Sequence, residues 1–302
     1  MKRYEKIVLE AEKGITFEVS EGTSEGELII RALNIATANV YSTNYVNPPI
    51  PEGWKHVEGE WNNGFVIQDF KGNQFVWIPV GFLDANGTLD GTNFSEKFGR
   101  RNYQDDEFSY GEFIEELDEK LRKQWESVQK YGGFYISRYN ISKNKQTGEA
   151  QSVKGEMPWT NINWFDAMEA AKTFGDGVFV TSHLPFGEEY DSALEWFIKS
   201  GKRTKEEIAN DSTQWGNFWN TRNAQKKVVK TGTCEEWSTN KIFDLAGNVD
   251  EWTQEKNKRL SRVIRGGCCC FDGYGYPVAY RVRSNPYHYY IFTGFRATLF
   301  LA

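Results

Sequence analysis

The chain has 302 residues and a formal net charge of -6, from 36 Lys+Arg against 42 Asp+Glu. A net-acidic chain without a basic run is poorly suited to gripping nucleic acid, and no apolar stretch approaches the roughly 18 residues that a membrane-inserted helix needs. Hydrophobic residues at 39% and charged residues at 26% describe a globular protein, and aromatics at 16% leave rings to spare for a contact surface once a core is filled.

The first residues, MKRYEKIVLEAEKG, carry charges where a signal peptide needs an apolar core, so no secretory signal is expected. Residues 1–46 alternate short β-like runs (Ile7–Leu9, Ile15–Val19) with a helix-like patch around Leu28–Ala38. They read as an assembly or attachment arm, or equally as an extra strand and helix of the main domain. Asn47-Pro48-Pro49-Ile50-Pro51 cannot be regular helix and reads as a stiff linker, which divides the chain into an arm at 1–50 and a domain at 51–302.

Phe65–Ile67 and Phe75–Val80 read as strands joined by a turn at Lys71-Gly72-Asn73. Residues 84–110 are polar and read as a loop. Phe113, Leu117, Leu121, Trp125 and Val128 recur at helical spacing, which predicts a helix of about four turns ending at Gly132-Gly133. Its acidic residues Glu112, Glu115, Glu116, Asp118 and Glu119 read as a solvated face. Phe134–Tyr139 is a predicted strand. Asn163 is placed to cap a helix whose apolar positions include Phe165, Met168 and Ala171, ending near Gly175. A further helix is predicted from Gly187 to about Lys199, burying Leu194, Trp196 or Phe197, and Ile198. Beyond residue 205 helical periodicity fades into short strands and Gly/Asn/Asp/Tyr-rich loops. Helices on one side and irregular β structure at the end fit an α+β class.

Four cysteines, three of them consecutive (Cys268, Cys269, Cys270), do not form a disulfide framework, so thiols kept in a reducing compartment are expected. Asp250 and Glu251 are neighbours on a predicted strand and should point to opposite faces, which argues against paired acid–base chemistry.

Three stretches line up in order: Trp159–Ala167 (WTNINWFDA) followed by His183–Tyr190 (HLPFGEEY), then Ile242–Thr253 (IFDLAGNVDEWT), then Arg262–Gly267 (RVIRGG) with Gly294-Phe295-Arg296. Together they resemble the formylglycine-generating-enzyme (sulfatase-modifying factor) family over roughly residues 60–302. The resemblance implies a loop-rich C-type-lectin-like fold of α+β class. Their structural work comes first: Gly247, Gly266 and Gly267 suit tight backbone positions, Trp252 and Phe295 suit core anchors, and Arg265 and Arg296 suit forked bonds to loop carbonyls. The family's enzymes use a cysteine pair after the Gly-Gly, and those two places fall on Phe271 and Tyr276, which offer no thiolate or copper ligand. Relatives with a histidine-based iron site are not matched either, because His56, His183 and His288 have no metal-ligand spacing. No cofactor is required on this reading. The resemblance admits structural calcium, with Asp244 giving a carboxylate and Gly247 and Val249 giving carbonyls, near Asn217 and Phe218. The acidic residue expected about fourteen positions later is replaced by Lys230 and Thr231, and a metal-free turn at Asp244 is the alternative.

Cys268 to Thr293 reads CCCFDGYGYPVAYRVRSNPYHYYIFT and lacks Lys, Glu, Gln, Met and Trp. Those types make up about a quarter of the chain, so drawing none has odds of roughly one in a thousand against average usage. Its diversified residues are ones reachable from an Asn codon whose adenines alone are replaced. This resembles the variable region of a diversity-generating retroelement target protein, in which adenine errors are copied into the 3′ end of a lectin-fold gene. The inferred fixed frame is Gly266, Gly267, Gly273, Pro277, Val278, Arg281, Pro286, Gly294, Phe295 and Arg296. The inferred diversified, ligand-binding positions are Cys270, Phe271, Asp272, Tyr274, Gly275, Tyr276, Tyr280, Val282, Arg283, Ser284, Tyr287, His288, Tyr289, Tyr290, Ile291 and Phe292, with Cys268 at the boundary. Tyr gives large amphipathic contacts at low rotamer cost, as in antibody paratopes.

The resemblance implies a display protein of a phage, prophage or bacterium that binds a macromolecule on a host or target cell surface and works as a homo-oligomer. Without a visible signal, it would be a virion component held in the cytoplasm until release, or a cell-surface protein. The alternatives are a formylglycine-type oxidase or metalloenzyme, a purely structural module, and an ordinary Tyr-rich terminus.

Overall fold

A computed structural model describes residues 15–21, 28–34, 48–80, 82–83, 89–90, 114–222, 224–256 and 261–301. Strands β1 (Ile15–Glu21) and β2 (Leu28–Asn34) pair antiparallel, from Ile15 opposite Asn34 to Glu21 opposite Leu28. The expected helix over Leu28–Ala38 is therefore a strand as far as Asn34, and its last residues lie outside the described ones. LIIRALN fits both periods, and the partner strand decides between them. The prolines that follow do not stand clear as a linker. Pro48 and Pro51 are buried, and Tyr135 Oη donates to the Pro49 carbonyl at 2.8 Å.

The domain is built on a six-stranded sheet. Its strands are β3 (Trp54–Glu58), β4 (Val66–Asp69), β5 (Gln74–Pro79), β6 (Gly133–Ser137), β7 (Val180–His183) and, from the far end of the chain, β12 (Thr298–Leu301). Their order is β7-β12-β6-β5-β4-β3, so β12 sits inside the sheet between β7 and β6. β5 and β6 are buried along nearly their whole length because both faces are covered.

Helix α1 (Ile114–Tyr131) ends at Gly132, whose φ of 79° allows the turn into β6, as expected. Glu119 is exposed and pairs with Lys123; the rest of the predicted acidic face lies outside the described side chains. In the expected loop 84–110, Leu89–Asp90 pairs with Phe82–Leu83, and most of the remainder is outside the described residues. Helix α2 (Trp164–Ala171) starts on Asn163, whose side chain accepts from Asp166 N at 2.8 Å. Met168 and Ala171 are buried as expected, but Phe165 is 42% exposed. Helix α3 (Gly187–Lys199) has the expected bounds and buries Leu194, Trp196 and Phe197. A short α4 (Lys205–Ala209) follows, which the fading periodicity did not mark.

A second sheet carries the C-terminal motifs: β8 (Asp250–Lys256), β9 (Arg262–Arg265), β10 (Val282–Ser284) and β11 (Thr293–Phe295), in the order β10-β9-β8-β11. β8 pairs antiparallel with β9 and parallel with β11. Trp252 and Phe295 are fully buried in one core cluster, as expected of anchors. Among the described residues no helix is long and apolar enough to cross a membrane. The α+β class expected from the sequence is the one found.

Candidate ligand-contact surface

The segment 268–293 leaves β9 through Gly266 and Gly267, with φ of 94° and 72°. A Cβ on Gly267 would lie 2.7 Å from the Tyr276 carbonyl and from the Phe218 ring, so only glycine fits this close approach. The chain then turns, with Phe271 N donating to Cys268 O at 3.1 Å. It returns through β10 and reaches β11 after a second loop.

Four buried charged side chains hold this path. Arg265 donates to Asp191 at 2.9 Å and to Glu255 at 2.7 Å. Arg281, inside the segment, donates to the other oxygens of the same two carboxylates, at 2.6 Å to Asp191 and 2.9 Å to Glu255. Asp191 comes from α3 and Glu255 from β8, so helix, sheet and segment close one ring. Paired charges this deep are tolerated because each carboxylate meets two guanidinium forks. Arg265 thus binds carboxylates, not the loop carbonyls expected. Arg296 does hold carbonyls, those of Ser137 and Phe243, and also Glu251 at 2.6 Å. Sequence reading missed Asp191 and Glu255. The available signal was the demand of two inward arginines for nearby carboxylates.

Backbone bonds to fixed elements complete the support. Near the start of the segment, Gly273 N donates to Asn220 Oδ1 at 3.1 Å, Ser212 N to Gly273 O at 2.9 Å, and Val278 N to Ser212 Oγ at 2.9 Å. Near its end, Trp164 N donates to Pro286 O at 3.1 Å and Asn161 N to Tyr290 O at 2.9 Å.

Burial splits the segment and its flanks in two. Of the inferred frame, all but the half-buried Pro286 are buried. Of the inferred diversified positions, Tyr274 (73%), Tyr287 (70%), Ile291 (63%) and Tyr289 (55%) are widely open. Gly275, Arg283 and His288 are exposed too. Cys270, Phe271, Asp272, Tyr276, Tyr280, Val282, Tyr290 and Phe292 are half-buried. Ser284 is the exception: it is buried, because it points inward at the end of β10 opposite Arg262. Cys268 is fully buried as well, so it belongs with the frame. Asn285, left out of the set, is exposed.

The rings of the surface brace one another. Phe271 and Tyr276 stack, and Tyr280 meets Tyr276 edge-on at 5.5 Å. The Tyr289 hydroxyl accepts from Asn163 Nδ2 at 2.8 Å and donates to Asp166 at 3.1 Å. Cys268 and Cys270 form a disulfide across Cys269, which corrects the expectation that all the thiols stay free. The turn brings their Cα atoms to 5.4 Å. Cys234 and Cys269 remain thiols, and burial pushes the Cys269 thiol up to about 11.

Copper does not fit here. The two places that would carry thiolates hold the stacked rings of a phenylalanine and a tyrosine, and Cys268 and Cys270 are bonded to each other. The histidines lie apart: His56 stacks on Phe65, His183 bonds Glu189, and His288 bonds the Tyr290 hydroxyl. Two of the expected calcium ligands are taken up in hydrogen bonds, although Asp244 Oδ1 is buried without a hydrogen-bond partner. Asp244 Oδ2 accepts from Thr231 Oγ1 and Gly232 N, both at 2.8 Å, and the Gly247 carbonyl accepts from Val249 N at 2.8 Å. This is a hydrogen-bonded turn supplying one carboxylate, where calcium wants several oxygens. Among the described residues no three His, Cys, Asp or Glu side chains gather as metal ligands. Asp250 and Glu251 are both buried, and Glu251 accepts from Asn140 and Arg296, both at 2.6 Å. Burial and then Glu251 push Asp250 up to about 8. Burial, partly offset by Arg296, pushes Glu251 up to about 7.

The sulfatase-modifying factor enzyme 1-like domain matches residues 67–299. No curated protein matches the chain in sequence. Among solved structures, Treponema denticola variable protein 1 is 17% identical, over 55% of this chain and 84% of that one, with a TM-score of 0.37. CarF is 16% identical, over 56% and 87%, with a TM-score of 0.42. PvdO from Pseudomonas aeruginosa is 12% identical, over 78% and 98%, with a TM-score of 0.47.

Proposed function

The chain belongs to the sulfatase-modifying factor enzyme 1-like domain family, yet it carries stacked rings where that family's enzymes carry thiols, and we propose that it works by binding and not by catalysis. It is a display protein whose surface over residues 268–293 is diversified by adenine-directed retroelement mutagenesis. Its ligand is a macromolecule on a host or target cell, and it acts in several copies on a phage virion or a cell surface, where multivalency raises avidity.

One observation carries this reading. The residues inferred as the frame are buried but for the half-buried Pro286, and those inferred as diversified are, but for Ser284, open or half-open. Mutation confined to such positions changes contacts without removing core volume. A rigid frame also avoids the cost of ordering a loop on binding.

The deciding experiment is to sequence the DNA around the gene. A reverse transcriptase gene and a near-copy of the 3′ end, differing from it only at adenines, is the expected result. A near-copy differing at random bases, or none, overturns the reading.

A further inference from the structure

Two large aromatic side chains outside the segment stand at its two edges. Phe165, on the first turn of α2, is 42% exposed, and its ring centroid lies 4.9 Å from that of Tyr287. Trp219 is 53% exposed, and its backbone N donates to the Phe271 carbonyl at 2.8 Å. Neither belongs to either core cluster. A phenyl ring left half in water against the open Tyr287, and an indole half in water on a residue bonded through its backbone to Phe271, add apolar surface that a partner would cover.

Both rings are held in place. Phe165 meets Trp164 edge-on at 5.1 Å, on a helix capped by Asn163. Lys226 Nζ lies 4.3 Å from the Trp219 ring centroid, and the neighbouring Asn220 side chain is tied to Gly273. Rings fixed before binding lose little freedom when covered.

We infer that Phe165 and Trp219 are constant members of the contact surface and that the partner is a folded protein. The constant pair grips any partner, and the segment side chains choose among partners. This rests on the display reading. Protein is favoured over polysaccharide by the chemistry of the segment. Sugars are gripped by carboxylate and amide forks and by free ring faces. The segment has no Glu or Gln. Its one carboxylate, Asp272, accepts from Gly275 N, and Asn285 Oδ1 accepts from Tyr287 N. Phe271 and Tyr276 stack on one another and Tyr287 packs against Phe165, which leaves Tyr274 and Tyr289 as the open rings. Tyrosine edges and hydroxyls on a surface with few charges suit a protein epitope.

The test uses the full chain, displayed on cells and diversified at Phe271, Tyr274, Tyr276, Tyr287 and Ile291. It is selected in parallel on lysozyme and on mannan. Phe165→Ser and Trp219→Ser are then placed in several selected clones, with Phe70→Ser as control, since Phe70 is 88% exposed in the β4–β5 turn. The expected result is that lysozyme enriches clones and mannan does not. Each serine then weakens lysozyme binding at least tenfold whatever the segment sequence, while Phe70→Ser does not. Clones that keep their affinity without either ring overturn the constant pair and leave the display reading standing. Enrichment on mannan alone overturns the protein partner. Failure of every clone on both targets overturns the display reading and the inference with it. If a serine variant melts early, Phe165→Gln and Trp219→Gln replace it and are read by the same criterion.

Discussion

Phe271 and Tyr276 lie face to face, with ring centroids 4.1 Å apart and planes 18° apart. The family resemblance places its reactive cysteines at these two positions, and here the turn that would bring two sulfurs together brings two rings together instead.

The purified protein, given copper and a cysteine-containing peptide, is therefore expected to leave the peptide unoxidised by mass spectrometry. Appearance of formylglycine would overturn the binding-only reading.

The ring of Arg265, Arg281, Asp191 and Glu255 makes Arg281 the least replaceable residue of the segment. Arg281→Ala leaves two carboxylates half-paired in the interior, and a loss of ~3–5 kcal/mol is expected in guanidinium unfolding. Tyr274→Ser and Tyr287→Ser, at open positions, should stay within about 0.5 kcal/mol. Equal losses at all three would show that the surface positions carry packing.

Stability should depend on pH through Asp250 and Glu251. Their folded values, about 8 and about 7, lie above the ordinary 3.8 and 4.5. Between those limits the folded state holds protons that the unfolded state has released, so this contribution to stability is full below about pH 4 and is lost as pH rises through 7 to 8. The slope approaches ~1.4 kcal/mol per pH unit for each group. The melting temperature should fall from pH 5 to pH 8, and Asp250→Asn should flatten that fall. A variant with the same slope as the parent would remove Asp250 as its source.

Thiol counting tests the Cys268–Cys270 bond. Denatured without reductant, the chain should show two reactive thiols, Cys234 and Cys269, and four after reduction. In the folded protein Cys269 should react slowly, since it is buried and its thiol is pushed up to about 11. Four thiols without reductant would mean the bond does not form.

The sequence made local features legible and hid those set by distant partners. The bounds of α1 and α3 follow from helical spacing and a terminal glycine or lysine. The segment stood out because it lacks Lys, Glu, Gln, Met and Trp, and the glycines and Arg281 inferred as its frame are buried. β2 was misread because its pairing with β1, not its own pattern, decides its state. Phe165 was placed inside because it sits in a helical repeat, yet it faces Tyr287, 122 positions on by numbering. Arg265 was given carbonyl partners because Asp191 lies 74 residues away in sequence. Ser284 was misjudged because a short strand end sets its direction.

Arg281 sits near the middle of the segment and is clamped on both forks. The residues before it lean on Ser212 and Asn220, and those after it lean on Trp164 and Asn161. Tyr274 and Tyr289 thus stand on halves with separate supports. On the proposed display reading, side chains selected in one half can therefore be combined at this arginine with side chains selected in the other, and the combinations multiply instead of adding.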